Sequence, residues 1–260
     1  MPFHSNTFSF KLAVTFACLV VTIFSTNAQS QRNDWTEYGF FGKPKRIEVI
    51  IMDLQKSGSS DIASNPHRLV ITFSPDGIVD SLINYSYDEG LWDDFTPEGL
   101  LKPKDQTTPV RWKMRNAELT IVDQDGLKIE KRKLDENGNL TSVITLQSLS
   151  DRSYSATEND TAGVLLGYAT VFLNKNGNIV RIREVGIEAN GTHSVSETVL
   201  KRSKFGPAHT IIRTDESDKS KHITKFEVLE KDAFGNPVKT LRQSERGESL
   251  LLRTYTYFTD

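Results

Sequence analysis

Five Asn-Gly or Asp-Gly dipeptides punctuate the chain: Asp76-Gly77, Asp125-Gly126, Asn137-Gly138, Asn176-Gly177 and Asn190-Gly191. Such pairs tolerate the positive φ angles of tight hairpins, so each marks a strand reversal. The runs beside them are short and rich in β-branched or aromatic residues, as in Arg68–Phe73, Glu118–Val122, Ile179–Arg183 and Lys225–Leu229. The best helical stretch, Trp92 to Leu101, is broken by Pro97 and Gly99. The expected fold is therefore all-β: an antiparallel meander of stacked β-hairpin repeats, an extended or curved sheet with little helix.

A repeat strengthens this expectation. Gly177, Gly206 and Gly235 are spaced 29 residues apart, each in a turn between two strand-like runs. A fixed period with one turn signal per unit implies a hairpin stacked along an axis. Arg46–Leu54 is apolar on nearly both faces, which places it centrally and the core in the N-terminal half. Leu127–Leu134 alternates charges with few apolar residues, so it is expected to bury little on either face. In the last strand, Tyr255 and Tyr257 share one face, with Leu250, Leu252 and Phe258 on the other. It reads as an exposed edge able to recruit a partner strand.

The first residues read as an address. Lys11 precedes a 13-residue, mostly apolar run, Leu12–Phe24, too short to span a bilayer and of the right length for a signal-peptide core. Thr26-Asn27-Ala28 supplies small residues for a cut between Ala28 and Gln29. The expected organisation is a signal peptide over 1–28 and a β-hairpin repeat domain over 29–260, with no transmembrane segment after cleavage. Cys18 is the only cysteine and its flanks do not form a lipobox, so peptidase cleavage is expected rather than lipidation. Export to the periplasm, the outer-membrane surface or the medium follows. The exported part has no cysteine, which excludes disulfide staples and thiol chemistry.

The opening Tyr38-Gly-Phe-Phe-Gly-Lys-Pro-Lys-Arg-Ile-Glu-Val49, the Phe-x-x-x-Gly turns and the closing Thr254-Tyr-Thr-Tyr-Phe258 resemble secreted bacterial proteins with YD/RHS-like repeats. The YD dipeptide itself occurs only as Tyr87-Asp88, and Pro207 replaces the turn Asn in one repeat. The resemblance implies an exported β-meander and carries over no catalytic residue.

Catalytic signals are sparse. With 32 Lys and Arg against 34 Asp and Glu, no basic field draws the chain to nucleic acid. There is no Gly-x-Ser-x-Gly elbow and no phosphate-cradling Gly loop. His67, His193, His209 and His222 lack metal-ligand spacing, and Asp135-x-Asn137-x-Asn139 lacks the closing carboxylate of a calcium loop, so no metal or cofactor is expected. Trp92 beside Asp93 and Asp94 joins an aromatic to two acids in a composition that suits sugars. With Tyr255 and Tyr257, these are the candidate ligand-binding residues. The reading is an exported, non-enzymatic β-repeat protein, a binding or scaffold module for an envelope protein or a glycan. The alternative is a carbohydrate-active enzyme using loop carboxylates.

Overall fold

The structure, a computed structural model, describes residues 34–57, 60–87, 92–95, 101–103, 112–122, 129–188, 190–202 and 206–259. The expected leader 1–28 with Cys18, its expected cut site and the expected Asp125-Gly126 turn lie outside the described residues. Among the described residues a short helix, α1 (Asp34–Tyr38), precedes sixteen strands. They are β1 (Pro44–Ser57), β2 (Ser60–Phe73), β3 (Val79–Tyr87), β4 (Trp92–Phe95), β5 (Leu101–Pro103), β6 (Trp112–Val122), β7 (Ile129–Leu134) and β8 (Leu140–Ser150). The second half adds β9 (Ser153–Asp160), β10 (Leu165–Leu173), β11 (Ile179–Ile187), β12 (His193–Arg202), β13 (Ala208–Asp215), β14 (Lys221–Lys231), β15 (Pro237–Ser244) and β16 (Gly247–Tyr257).

The all-β meander is as expected, but the sheet is not open. Fourteen strands close into an antiparallel barrel, and β4 and β5 form a separate two-stranded ribbon in place of the broken helix. The last strand is not a free edge: β16 pairs with β1 from Pro44–Tyr257 to Leu54–Glu248. Closure satisfies both ladder edges, which an open meander would leave exposed.

Local chemistry sets the reversals. In one recurrent turn, the first residue accepts the N–H of a glycine three residues on and bonds the carbonyl four residues on. Examples are Asp135/Gly138, Asp160/Gly163, Asn174/Gly177 and Asp232/Gly235. The first side chain locks the turn as well. Oδ1 of Asp135, Asp160, Asn174 and Asp232 accepts the backbone N–H groups two and four residues ahead. This is the three-residue hairpin loop with its glycine in the left-handed region. Gly177, Gly206 and Gly235 stand in successive turns at the same end of the barrel, so 29 residues measure one strand up and one strand down.

Residues opposite each other in a ladder share a face, so the register divides inside from outside. The outer wall carries charged clusters among exposed apolar residues such as Leu119, Ile121, Tyr168 and Ile223. Glu48 Oε1 accepts from Arg68 Nε at 2.7 Å and Oε2 from Arg46 Nη2 at 2.8 Å. Arg68 also lies over the rings of Tyr85 and Trp112. Glu130 pairs with Arg132 at 2.9 Å, and Arg181 caps the Phe172 ring at 4.0 Å while facing Glu197.

The interior is divided along the barrel axis. One buried cluster joins Ile47, Val49, Leu69, Ile71, Phe73, Val79, Leu82 and Leu251, with Phe226 against it. A second joins Leu146, Tyr154, Val171, Leu173, Ile179, Ile182 and Leu200. The core is thus not confined to the N-terminal half, because closure gives β8–β12 an inside of their own. Toward the other end the same face turns charged. One register row runs Ile71, Leu82, Glu118, Lys133, Ser142, Asp160. Lys131 is only 2% exposed and bonds Glu118 at 2.7 Å, and Lys133 bonds both oxygens of Glu158. The expectation that Leu127–Leu134 buries little is corrected: Lys131 and Lys133 point inward, where each finds a carboxylate.

A strap crosses the apolar end. Asp34 bonds the β2–β3 turn through Gly77 O and the Val79 N–H. Trp35 sits against Phe73 and Phe258 and donates Nε1–H to Pro44 O at 2.8 Å. Tyr38 O accepts from Arg202 at 3.1 Å. Gly39 has φ +75°, and a Cβ there would lie 2.4 Å from Gly206 O, so only glycine allows this approach. Phe41 exchanges both backbone bonds with the fully buried Asn236 amide, whose Nδ2 also reaches Tyr257 OH. Residues 34–41 thus bind the turns following β2, β12 and β14.

Candidate functional site in the polar half of the interior

The inward residues of β11 to β14 form a contiguous polar patch. Glu184, Ser196 and Asp215 make one register row, and Ile182, Thr198, Arg213 and His222 the next. Ser196 Oγ–H donates to Glu184 Oε2 at 3.3 Å. Arg213 Nε stands 3.5 Å from Asp215 Oδ1, and His222 bridges Asp215 and Glu245, with Nδ1 3.0 Å from Glu245 Oε2. Glu184, Ser196 and Thr198 are buried, Arg213 and Asp215 partly so, and His222 is exposed. The patch therefore deepens from the β13–β14 turn inward.

Two features mark it as more than structural. Thr198 Oγ1 and Arg213 Nε are buried without a hydrogen-bond partner, a cost of about 1–3 kcal/mol for a group left in that state. Burial also pushes the Glu184 carboxyl up to about 7, against the opposing pull of Arg213 and the Ser196 hydrogen bond. Near neutral pH this group can present a proton donor or an acceptor.

Across the interior, Ser142 and Lys133 both bond Glu158. Arg242 reaches Ser249 Oγ at 2.7 Å, and that hydroxyl donates to Asp53 at 2.7 Å. In those two groups every carboxylate is engaged by a cation or hydroxyl. Arg242 Nε, like Thr198 Oγ1 and Arg213 Nε, is buried without a hydrogen bond; what sets the Glu184 group apart is two such donors beside a buried carboxyl.

No family model and no curated protein matches the chain. Among solved structures, a porin-like protein from Bacteroides uniformis is similar over 82% of this chain and 96% of its own, at 10% identity and a TM-score of 0.42. A porin-like protein from Bacteroides vulgatus covers 80% and 98%, at 10% identity and 0.39.

The sequence candidates fall elsewhere. Trp92, Asp93 and Asp94 belong to the β4–β5 ribbon by their backbone, and their side chains lie outside the described residues. Tyr255 and Tyr257 share the inner face, stacked at 6.0 Å near the strap. Tyr255 OH donates to Pro237 O at 3.0 Å, and burial pushes its phenol up to about 12. Tyr257 OH donates to Asp232, and its ring lies 4.3 Å from that of Phe234. Both hydroxyls thus hold the β14–β15 turn. The four histidines remain apart: His67 on β2, His193 opening β12, His209 on β13 and His222 on β14. Among the described residues, no three His, Cys, Asp or Glu side chains are grouped to hold a metal. Sequence reasoning passed over Glu184, Thr198 and Arg213. A weak signal existed, in that β12 carries hydroxyls at Ser194, Ser196 and Thr198, every second position, on a strand whose other parity holds Val195 and Val199.

Proposed function

We propose that this protein is an exported β-barrel binding module that stands in water within the cell envelope and takes a hydroxyl-rich, glycan-like ligand in the polar half of its interior. The observation that carries this reading is the pair of buried donors without a hydrogen bond, Thr198 Oγ1 and Arg213 Nε, beside the Glu184 carboxyl. Ligand oxygens would satisfy them, and Glu184 would bond a sugar hydroxyl in either protonation state. The water-facing placement rests on the charged residues of the outer wall. Arg46, Glu48, Arg68, Glu130, Arg132, Arg181 and Glu197 would each face lipid in a membrane barrel, at about 2–4 kcal/mol for each Arg at mid-depth.

Titration calorimetry with soluble peptidoglycan fragments and neutral oligosaccharides tests the reading. Binding by the wild type, weakened at least tenfold in Thr198→Val with its fold intact, is the expected result. Equal affinity in the variant, or no heat from any of these probes, contradicts it. One observation favours a second reading, that of a carbohydrate-active enzyme. Glu184 has the raised proton affinity of a general acid, and Asp215 lies two strands away in the same register row, with Ser196 between them. Release of reducing ends during the same titration, abolished in Glu184→Gln, would decide for it.

A further inference from the structure

The two ends of the barrel differ in charge. Turns alternate between the ends of an antiparallel meander, so those following β8 and β10 share the strap's end with those following β2, β12 and β14. Exposed cations stand round this end on separate elements. Lys43 and Lys45 follow the strap, Arg152 and Lys175 lie in the β8–β9 and β10–β11 turns, and Lys201 and Lys231 lie at the ends of β12 and β14. Among the described residues Lys45, Lys175, Lys201 and Lys231 make no ion pair. Of the acids here, Asp232 is taken up by its own turn and by Tyr257 OH, and Glu230 faces Lys239 at 3.5 Å, which leaves Asp76, Asp80 and Asp151 exposed. At the opposite end the exposed turn charges are mainly acidic: Glu136, Glu188, Glu216, Asp218 and Glu245, against Lys219 and Arg246.

Two rings project from the basic end. Phe41, in the strap, is 36% exposed, and Phe234, in the β14–β15 turn, is 53% exposed. Each lies over the other's neighbouring glycine. A Cβ on Gly42 would stand 3.2 Å from the Phe234 ring, and one on Gly235 would stand 3.7 Å from the Phe41 ring. The backbone beneath is pinned by the buried Asn236 amide, and Phe234 also rests on Tyr257. The rings are thus fixed outward on loops rather than folded into a cleft. Exposed aromatic rings ringed by cations are the anchoring chemistry of proteins that lie on bilayers. The cations come from connections spread round the whole end, so only an extended anionic surface meets them together with the rings. We propose that the strap end docks on an anionic phospholipid bilayer, with Phe41 and Phe234 entering the headgroup region and the surrounding Lys and Arg side chains meeting lipid phosphates. Docked in this way, the barrel wall stays in water and the acidic end, with the polar mouth, points away from the membrane.

Vesicle flotation tests this with residues 29–260, which omit the expected apolar leader. The protein should float with vesicles of phosphatidylcholine and phosphatidylglycerol at about 3:1 but not with phosphatidylcholine alone, and salt raised from about 50 to 500 mM should release it. Binding should fall about tenfold or more in Phe41→Ser/Phe234→Ser, and likewise in Lys175→Glu/Lys231→Glu, each with an unchanged circular dichroism spectrum. Orientation has its own readout. A polarity-sensitive dye on Phe234→Cys should shift to the blue when anionic vesicles are added, and the same dye on Glu188→Cys, at the far end, should not. Equal flotation with neutral vesicles, undiminished binding by both double variants, or a shift in Glu188→Cys without one in Phe234→Cys overturns the proposal. Failure to float with either vesicle overturns it equally and leaves the rings to an acidic protein partner.

Discussion

Replacing Trp35 by alanine should lower the stability of the barrel by about 3–5 kcal/mol, the range for removing a large buried aromatic side chain. The indole is 6% exposed, lies between Phe73 and Phe258, and donates to Pro44 O. It joins the strap to the start of β1 and the end of β16, the seam where the barrel closes. The loss therefore comes from both a cavity and an unpaired carbonyl. Trp35→Phe should recover much of the packing while forfeiting the hydrogen bond, and so fall between the two. Urea unfolding measures all three proteins. For a chain of this size the alanine variant should also melt about 10 °C lower. A change under about 1 kcal/mol would mean that the strap does not seat its indole in the barrel mouth.

Glu184→Gln should alter how stability depends on pH, by about 3 kcal/mol at its largest. The folded protein holds the Glu184 proton up to about pH 7, whereas the unfolded chain releases it near the ordinary value of 4.5. Protonation thus favours the folded state. Stability from this group is fully present below pH 4.5, declines as the pH rises, and is gone above about 7. A difference of about two and a half pH units corresponds to the stated magnitude. Glutamine keeps the shape and can accept the Ser196 hydroxyl, but it has no proton to lose. The variant should match the wild type at pH 4.5 and exceed it at pH 8. Part of the decline should survive, because Asp34 is also raised to about 7 by burial, against the Val79 N–H and the Lys131 charge, and titrates with the same sign. Parallel stability curves for wild type and variant between pH 4.5 and 8 would contradict the burial of Glu184.

What was legible in the sequence is what is local. Asn137-Gly138, Asn176-Gly177 and Asn190-Gly191 announce their turns because left-handed backbone demands those residues where they stand. Closure was not legible. Pro44–Leu54 and Glu248–Tyr257 are separated by nearly the whole described chain, and nothing in either strand states that the other completes its ladder. An extended sheet and a barrel share the same alternation; they differ only in whether the first and last strands meet. The same ignorance of partners misplaced the charges. Lys131 and Lys133 look like a solvated face until Glu118 and Glu158 are brought opposite them. Tyr255 and Tyr257 do share a face, as alternation requires, but alternation does not say that the face is the inner one. The site around Glu184 escaped for a related reason. Its residues come from three strands, and its burial exists only once the wall has curved over it.

Barrel closure underlies each of these arguments, and it can be tested directly because residues 29–260 contain no cysteine. Ile50 and Leu252 are opposed across the β1–β16 seam. Opposed residues in an antiparallel ladder hold their Cα atoms about 4.5–5.5 Å apart, within disulfide range. The chain carrying Ile50→Cys and Leu252→Cys should oxidise rapidly to a bridge within one molecule, with unchanged mass and faster migration on a non-reducing gel. Bridges that form only between molecules, or no bridge at all in a folded protein, would mean that the first and last strands do not meet and that the sheet is open.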